Sequence, residues 1–268
     1  MKRLINPFLV LIVLCLVFQA CTVVPLTGRK QLSLVQESEM ISMSLTSYSD
    51  FMKQNALSTD KANTAIVKEV GKNISAAVIK YFADNSMSDR LDGYQWEFNL
   101  VKNDTTPNAW CMPGGKVVVY SGILPYTKDK NGLAVVLSHE IAHAVARHGN
   151  ERMSQELLVQ YGGVALSELL KNKPAQTQSI FNSAYGIGAQ YGVLLPYSRD
   201  HELEADKLGL IFMAMAGYDP QTAIAFWQRM SAMSGNAPLE FMSTHPSDAT
   251  RINKIQAAIP EAMKYYKK

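Results

Sequence analysis

Ser138-His139-Glu140-Ile141-Ala142-His143 lies inside an apolar, helix-forming run, with Leu133-Ala134-Val135-Val136-Leu137 before it and Ala144-Val145-Ala146 after it. Helical residues four apart are neighbours on one face. His139 and His143 therefore aim two imidazoles at one point, at about the separation a single Zn²⁺ needs. Glu140, one position round, can reach a water held there without being a ligand itself. Two histidines and a glutamate on an otherwise apolar helix need partners, because unpaired buried polar groups are costly. A metal answers that need if another segment supplies a third protein ligand. Buried histidines bonded to carbonyls are the simpler alternative.

The segment Ser198-Arg199-Asp200-His201-Glu202-Leu203-Glu204-Ala205-Asp206 is the source of that ligand. Glu, Leu, Ala and Lys dominate it through Leu210, which favours a helix. Glu202 and Asp206 are four apart and share a face. Glu202 is then placed to coordinate, and Asp206 to bond the outer nitrogen of a ligand histidine and fix its tautomer. Glu204 points about 200° away from Glu202 and is a poor ligand. His201 lies about 100° off that face, and His148 sits half a turn from His139, so both read as structural. Arg199 is suited to pair with a carboxylate near the site. A solvated charged helix face is the competing reading of this segment. Two histidines, one glutamate and an open position form a catalytic zinc geometry, with one Zn²⁺ per chain, rather than a closed structural one.

Composition sets the bounds. With 268 residues and 47% hydrophobic content, the chain can build one sizeable core. Neither an internal repeat nor a second domain is visible, so 36–268 reads as one domain. The net charge of +3 gives no basic field for nucleic acid. Met1-Lys2-Arg3 is a positive start, and the apolar stretch to Phe18 is shorter than the roughly 20 residues a membrane span needs. Residues 1–20 read as a signal peptide. Ala20-Cys21 resembles a bacterial lipoprotein junction, although Phe18 and Gln19 are atypical there, which makes Cys21 the lipidated residue and 21–35 a tether. By the same resemblance, Thr22 implies sorting to the outer membrane, on its periplasmic side. Cys15 falls in the signal, so Cys111 is left as one thiol with no intrachain disulfide partner.

The rest of the chain supplies a frame. A Met-rich amphipathic helix is expected from 36 to about 55, as core filler or as a membrane-lying face. Asp60 caps a second helix to about 84. Tyr94 to Val101 alternates as a half-buried strand. Asn108-Ala109-Trp110-Cys111-Met112, then Pro113-Gly114-Gly115, then Lys116 to Tyr120 read as strand, turn, strand. Asn108 to Met112 is the candidate to hold a substrate backbone as an added strand, or else an ordinary inner hairpin strand. Asp129 or Asn131 caps the central helix, and Gly149-Asn150 marks its break. Gly186-Ile187-Gly188 is no dinucleotide loop, since no strand precedes it. Asp219-Pro220 opens a further helix, and Thr244-His245-Pro246 leads into the last one.

Taken together, His139-Glu140-x-x-His143-x-x-x-Arg147-His148 and Ser198-Arg199-x-x-Glu202-x-Glu204-Ala205-Asp206 resemble the HtpX and CAAX-prenyl endopeptidase family of gluzincin metallopeptidases. Asn108-Ala109, Pro113-Gly114-Gly115, Gly217-Tyr218-Asp219-Pro220, Thr244-His245-Pro246 and Arg251-Ile252 fit it too. The Val24-Pro25-Leu26-Thr27-Gly28-Arg29 start and the lipid signal resemble its periplasmic lipoprotein members, most closely the LoiP-like outer-membrane proteases. The resemblance implies an α+β, mainly helical zincin domain with a small antiparallel sheet beside the HExxH helix. It implies that His139, His143 and Glu202 hold zinc, that Glu140 is the base, and that His245 lies near the metal. Two roles stand for His245: a donor to the oxyanion, or an occupant of the fourth zinc position at rest. Arg251 positions His245 or substrate. Polypeptide substrates are implied, as unfolded or misassembled envelope proteins, with outer-membrane assembly machinery or other envelope proteases as partners. The competing class is a zinc-capped chaperone or assembly factor with little proteolysis.

Overall fold

The structure is a computed structural model that describes residues 21–161, 174–185, 198–233, 240–245 and 249–267. Residues 1–20, read above as a signal peptide, the glycine pairs at 162–163 and 186–188, Gly235 and Pro246 lie outside the described residues.

The central helix, α4 (Lys130–Val145), is apolar on every side and every residue from Gly132 to Val145 is buried. A helix of that kind belongs at the centre of a fold. Asp129 starts it by accepting a hydrogen bond from the Gly132 amide. Around it pack α2 (Lys61–Asp84), α7 (Arg199–Met215) and α8 (Thr222–Met233), and α10 (Ala249–Met263) packs on α7 and α8. Asp60 caps α2 by accepting from the Asn63 amide, as its sequence predicts. Gly209 sets the spacing of α4 and α7. A Cβ there would sit 3.1 Å from the His139 amide nitrogen and the Ser138 carbonyl carbon. Larger residues would push the second glutamate-bearing helix away from the histidines.

Three strands cover another face: β3 (Glu97–Val101), β4 (Ala109–Met112) and β5 (Lys116–Tyr120), in the order β3-β5-β4. Gly114 and Gly115 make the tight connection between β4 and β5, both at positive φ near 80°, a conformation open mainly to glycine. The expected antiparallel sheet is antiparallel only in the β4–β5 pair. β3 pairs β5 in parallel, with Glu97 opposite Lys116 and Val101 opposite Tyr120. Sequence alternation fixes which side chains face the core but not which edge a third strand joins. β3 is also buried on both faces rather than half-exposed, because α1 (Glu37–Gln54) lies over its far side, with Tyr48 packed among Val101, Met112 and Val118. Met40 of α1 is fully buried with Met153, Leu157 and Phe181, which favours the core-filler reading of the Met-rich helix.

Two boundaries move. The break after α4 falls at Ala146–Arg147, not at Gly149-Asn150, and α5 (His148–Tyr161) resumes at once. Arg147 adopts φ +61°, a left-handed conformation that costs a non-glycine residue roughly 1–2 kcal/mol. Its side chain pairs with Glu37 at 3.1 Å, and its amide donates to the Ala144 carbonyl at 3.0 Å. Asn150, free of the break, donates to the Val35 carbonyl at 2.8 Å. Likewise, α8 begins at Thr222, with Pro220 in the preceding turn accepting from the Ala223 amide.

The segment read as a tether is structured. β1 (Cys21–Val23) and β2 (Lys30–Leu32) form an antiparallel hairpin, and Val24 at its bend is fully buried in the main core. Among the described residues, no helix is long and apolar enough to cross a membrane.

Candidate metal centre

Helix α4 places His139 and His143 one turn apart, with their Nε2 atoms 3.0 Å from each other. Glu202 arrives from the first turn of α7 and His245 from the end of the short helix α9 (Glu240–Thr244). His245 Nδ1 lies 3.2 Å from His139 Nε2 and 3.0 Å from Glu202 Oε1. Glu202 Oε1 is 3.3 Å from His143 Nε2, and its Oε2 is 3.5 Å from His139 Nε2. All four residues are buried and each offers one donor atom to a common point. Zinc bonds of about 2.0–2.1 Å in a tetrahedron put donor atoms about 3.3 Å apart. These separations, with one donor atom from each residue within 4.8 Å of the others, fit a single zinc shared by the four residues. Two imidazole nitrogens facing each other at 3.0 Å also satisfy no mutual hydrogen bond if both are unprotonated, which is the state a metal requires. The residues fit zinc.

His139 Nδ1, the nitrogen turned away from the centre, faces Asp206 Oδ1 at 3.0 Å, off the ideal hydrogen-bond line. Asp206 is in turn held by the fork of Arg251, from Nε at 2.7 Å and Nη2 at 2.8 Å. Arg251 Nη1 contacts Glu202 Oε2 at 2.7 Å and donates to the His245 carbonyl at 3.2 Å. Its guanidinium sits 3.7 Å from the centroid of Trp227. One arginine thus orients a histidine partner, a carboxylate ligand and the backbone of the fourth residue. Burial alone would raise Glu202, but His245, Arg251 and the two ligand histidines hold its carboxyl well below the usual range. Arg251→Ala strands two buried carboxylates. Breaking a buried pair costs about 3–5 kcal/mol, so chemical denaturation should show a loss of that size. A loss under about 1 kcal/mol would mean that the pair is compensated elsewhere.

Glu140 neighbours His139 but points elsewhere. Its Oε1 is buried, 3.4 Å from His245 Nε2, and has no hydrogen-bond partner among the described residues. Burial, with the Glu202 charge adding, pushes its carboxyl up to about 7 against the pull of His245 and Arg251. A carboxylate poised near neutrality, with no hydrogen bond fixing its Oε1, is suited to taking and returning a proton.

Behind the centre lies a second polar group that the sequence reading left as structural histidines. The left-handed turn at Arg147 folds α5 back, so that His148 Nδ1 stands 2.9 Å from His143 Nδ1. His148 Nε2 is 3.0 Å from Glu204 Oε2, and its ring stacks on His201 at 4.5 Å. Burial, opposed by Glu204, brings His148 down to about 4, so the ring is neutral. His201 Nε2 bonds Glu151 Oε2 at 2.9 Å. Arg29 of the N-terminal hairpin closes the group, meeting Glu151 with both Nη atoms at 2.8 and 3.0 Å and Glu204 with Nε at 2.8 Å. The Thr27 hydroxyl also donates to Glu204. The available signal was two further histidines near two acidic residues, His148 with Glu151 and His201 with Glu204. The connecting residue, Arg29, carried none.

The remaining expectations divide. Glu204 is outside the metal-ligand group, as its angle on the helix requires. Arg199 opens α7 and is exposed, and Arg251 lies against the ligand carboxylate. Ala109, Trp110, Cys111 and Met112 form β4, the sheet edge beside α4, and Asn108 precedes it. The amide of Phe241, on the helix that carries His245, donates to the Pro107 carbonyl at the head of that strand. Cys111 is buried, and burial with the nearby Glu140 charge pushes its thiol well up, as befits a packed rather than reactive cysteine.

An HExxH helix crossed by a glutamate-bearing helix, under a small sheet, defines a zincin peptidase domain of the gluzincin kind. Residues 72–259 match Peptidase family M48, and the chain belongs to that family. It is 36% identical over 244 residues to mitochondrial metalloendopeptidase OMA1 of Schizosaccharomyces pombe, covering 89% of this chain and 66% of that protein. Human metalloendopeptidase OMA1 is 30% identical over 256 residues, covering 92% and 47%. The beta-barrel assembly-enhancing protease of Yersinia pestis is 33% identical over 163 residues, covering 59% and 33%. The chain spans less than two thirds of the length of each of these relatives.

Proposed function

We propose that the protein is a zinc-dependent metalloendopeptidase. The observation that carries this reading is the convergence of His139, His143, Glu202 and His245 on one point, with Glu140 buried beside them and its Oε1 without a hydrogen bond. His139, His143 and Glu202 hold the metal. Zinc, when bound, supplies Lewis acidity that activates water and polarises a scissile carbonyl. Glu140 takes the proton of the attacking water and returns it to the leaving amine. β4 has no strand partner on its outer side among the described residues, and it is the edge that would hold an extended substrate, where backbone hydrogen bonding is blind to sequence. Casein cleavage that a chelator abolishes and added zinc restores is the expected result. Cleavage indifferent to chelation would remove the metal from the reaction.

His245 stands at the fourth corner, where a catalytic zinc keeps its exchangeable position. This placement supports the resting-cap role over the oxyanion role. It also supports the second reading, a capped chaperone or assembly factor with little proteolysis. His245→Ala should raise casein turnover by roughly tenfold, or about 1.4 kcal/mol of barrier. A fall instead would return His245 to the oxyanion.

The setting we infer is the bacterial envelope. The lipoprotein-like Ala20-Cys21 junction supports a lipid anchor on Cys21 at the periplasmic side of the outer membrane, and a LoiP-like role. The beta-barrel assembly-enhancing protease among the relatives supports substrates that are unfolded or misassembled envelope proteins, in a quality-control role beside the assembly machinery. Labelling by radiolabelled palmitate, lost in Cys21→Ser, tests the anchor.

A further inference from the structure

The hairpin that follows Cys21 reaches the back of the metal centre. Its bend is closed by Val24 and Arg29, amide to carbonyl at 2.8 Å, and by Gly28 and Val24 at 3.0 Å. Arg29 therefore leaves a fixed backbone, and its side chain lies between two buried carboxylates, Glu151 and Glu204. We propose that Arg29 and Thr27 are positioning residues for the metal ligand His143, acting through Glu204 and His148. The proposal rests on the zinc reading above.

The hydrogen-bond directions carry the argument. Ionised Glu204 has only acceptors, so His148 Nε2 must donate to it. With one proton on its ring, His148 then presents a lone pair at Nδ1. That nitrogen faces His143 Nδ1 at 2.9 Å and accepts its proton. His143 is left with a lone pair on Nε2, the atom turned toward His139 Nε2 and Glu202. If His148 flips its tautomer, the order reverses. His143 would then carry its proton on Nε2 and could not bind a metal. The position of Glu204 therefore governs the orientation of His143, two residues along the chain of contacts. The Thr27 hydroxyl fixes its Oε1, and Arg29 Nε fixes its Oε2. The same guanidinium neutralises Glu151, which otherwise would place a second buried negative charge beside the first. Ligand orientation by outer partners is common in zinc sites, and losing one typically costs about 10- to 100-fold in affinity. Here the outer chain ends on the segment next to Cys21, so the docking of that segment is coupled to the metal site.

The test uses the full mature chain and zinc itself, titrated against a chromophoric chelator. Arg29→Met should weaken zinc about 10- to 100-fold and lower kcat with little change in KM. Arg29→Lys should recover part of the affinity, since it keeps the charge but not the fork. Thr27→Val, a smaller change, should move affinity in the same direction by less. Thr22→Val removes the hairpin's own bond from Gln31, 3.2 Å long, without touching the chain of contacts, and should keep wild-type affinity. Wild-type affinity in both Arg29→Met and Thr27→Val overturns the proposal while leaving the zinc reading intact. So does a Thr22→Val protein that loses as much affinity as Arg29→Met, since hairpin docking alone would then explain the effect. A wild-type chain that binds no zinc overturns both readings together.

Discussion

Glu140→Gln protein should keep its zinc and lose proteolysis by about 100- to 10,000-fold, the span that positioned acid–base groups contribute. The substitution is nearly isosteric and the side chain is fully enclosed, so packing does not change. What disappears is a group able to accept a proton near neutral pH. Glu140 has no hydrogen bond to lose among the described residues, so the surrounding arrangement has no reason to collapse. Casein turnover and metal analysis on the same sample check both halves. Retained turnover would end the assignment of Glu140 as base. A second signature follows from its raised pKa. A buried acid at about 7 resists ionisation that the unfolded chain permits from about 4.5 upward. Its contribution to stability is full below the unfolded value and is lost as pH rises through 7. In chelated protein, the Gln variant should therefore hold its Tm between pH 5 and 8 where wild type declines.

Glu202→Ala should lower zinc affinity by more than about 100-fold, beyond the usual effect of losing an outer partner. Glu202 touches both ligand histidines and His245 within 3.5 Å, so its removal takes away a donor and leaves Arg251 without one of its two carboxylates. Glu204→Ala is the informative contrast. It is on the same helix, is equally acidic and is also buried, yet its effect travels only through His148. Zinc should weaken there by less than in Glu202→Ala. Metal content after dialysis ranks the two directly. An inverted ranking would reassign the third ligand.

The sequence by itself determined everything that one helix can fix. In His139-Glu140-x-x-His143, a spacing of four on an apolar run makes a metal clamp with a base beside it. In Glu202 and Asp206 the same spacing provides a ligand and the partner of His139, and it excludes Glu204 from the clamp. These relations depend on a local period that the chain cannot escape. The capped start of α2 and the glycine turn before β5 were readable for the same reason.

Only the tertiary structure decided what meets across long separations. His245 reaches His139 from 106 positions away, and Arg29 reaches Glu204 across 175. Nothing local indicates that Arg251 rather than Arg199 faces Glu202, because which helix end points inward is set by packing. The parallel pairing of β3 likewise depends on which edge of β5 the core leaves available. The turn at Arg147 shows the limit most directly. One left-handed residue, paired with Glu37, moves His148 from the far side of a continuous helix to 2.9 Å behind a zinc ligand. Sequence periodicity assumes that the helix continues, whereas Arg147 interrupts it with a left-handed turn whose amide closes on the Ala144 carbonyl at 3.0 Å.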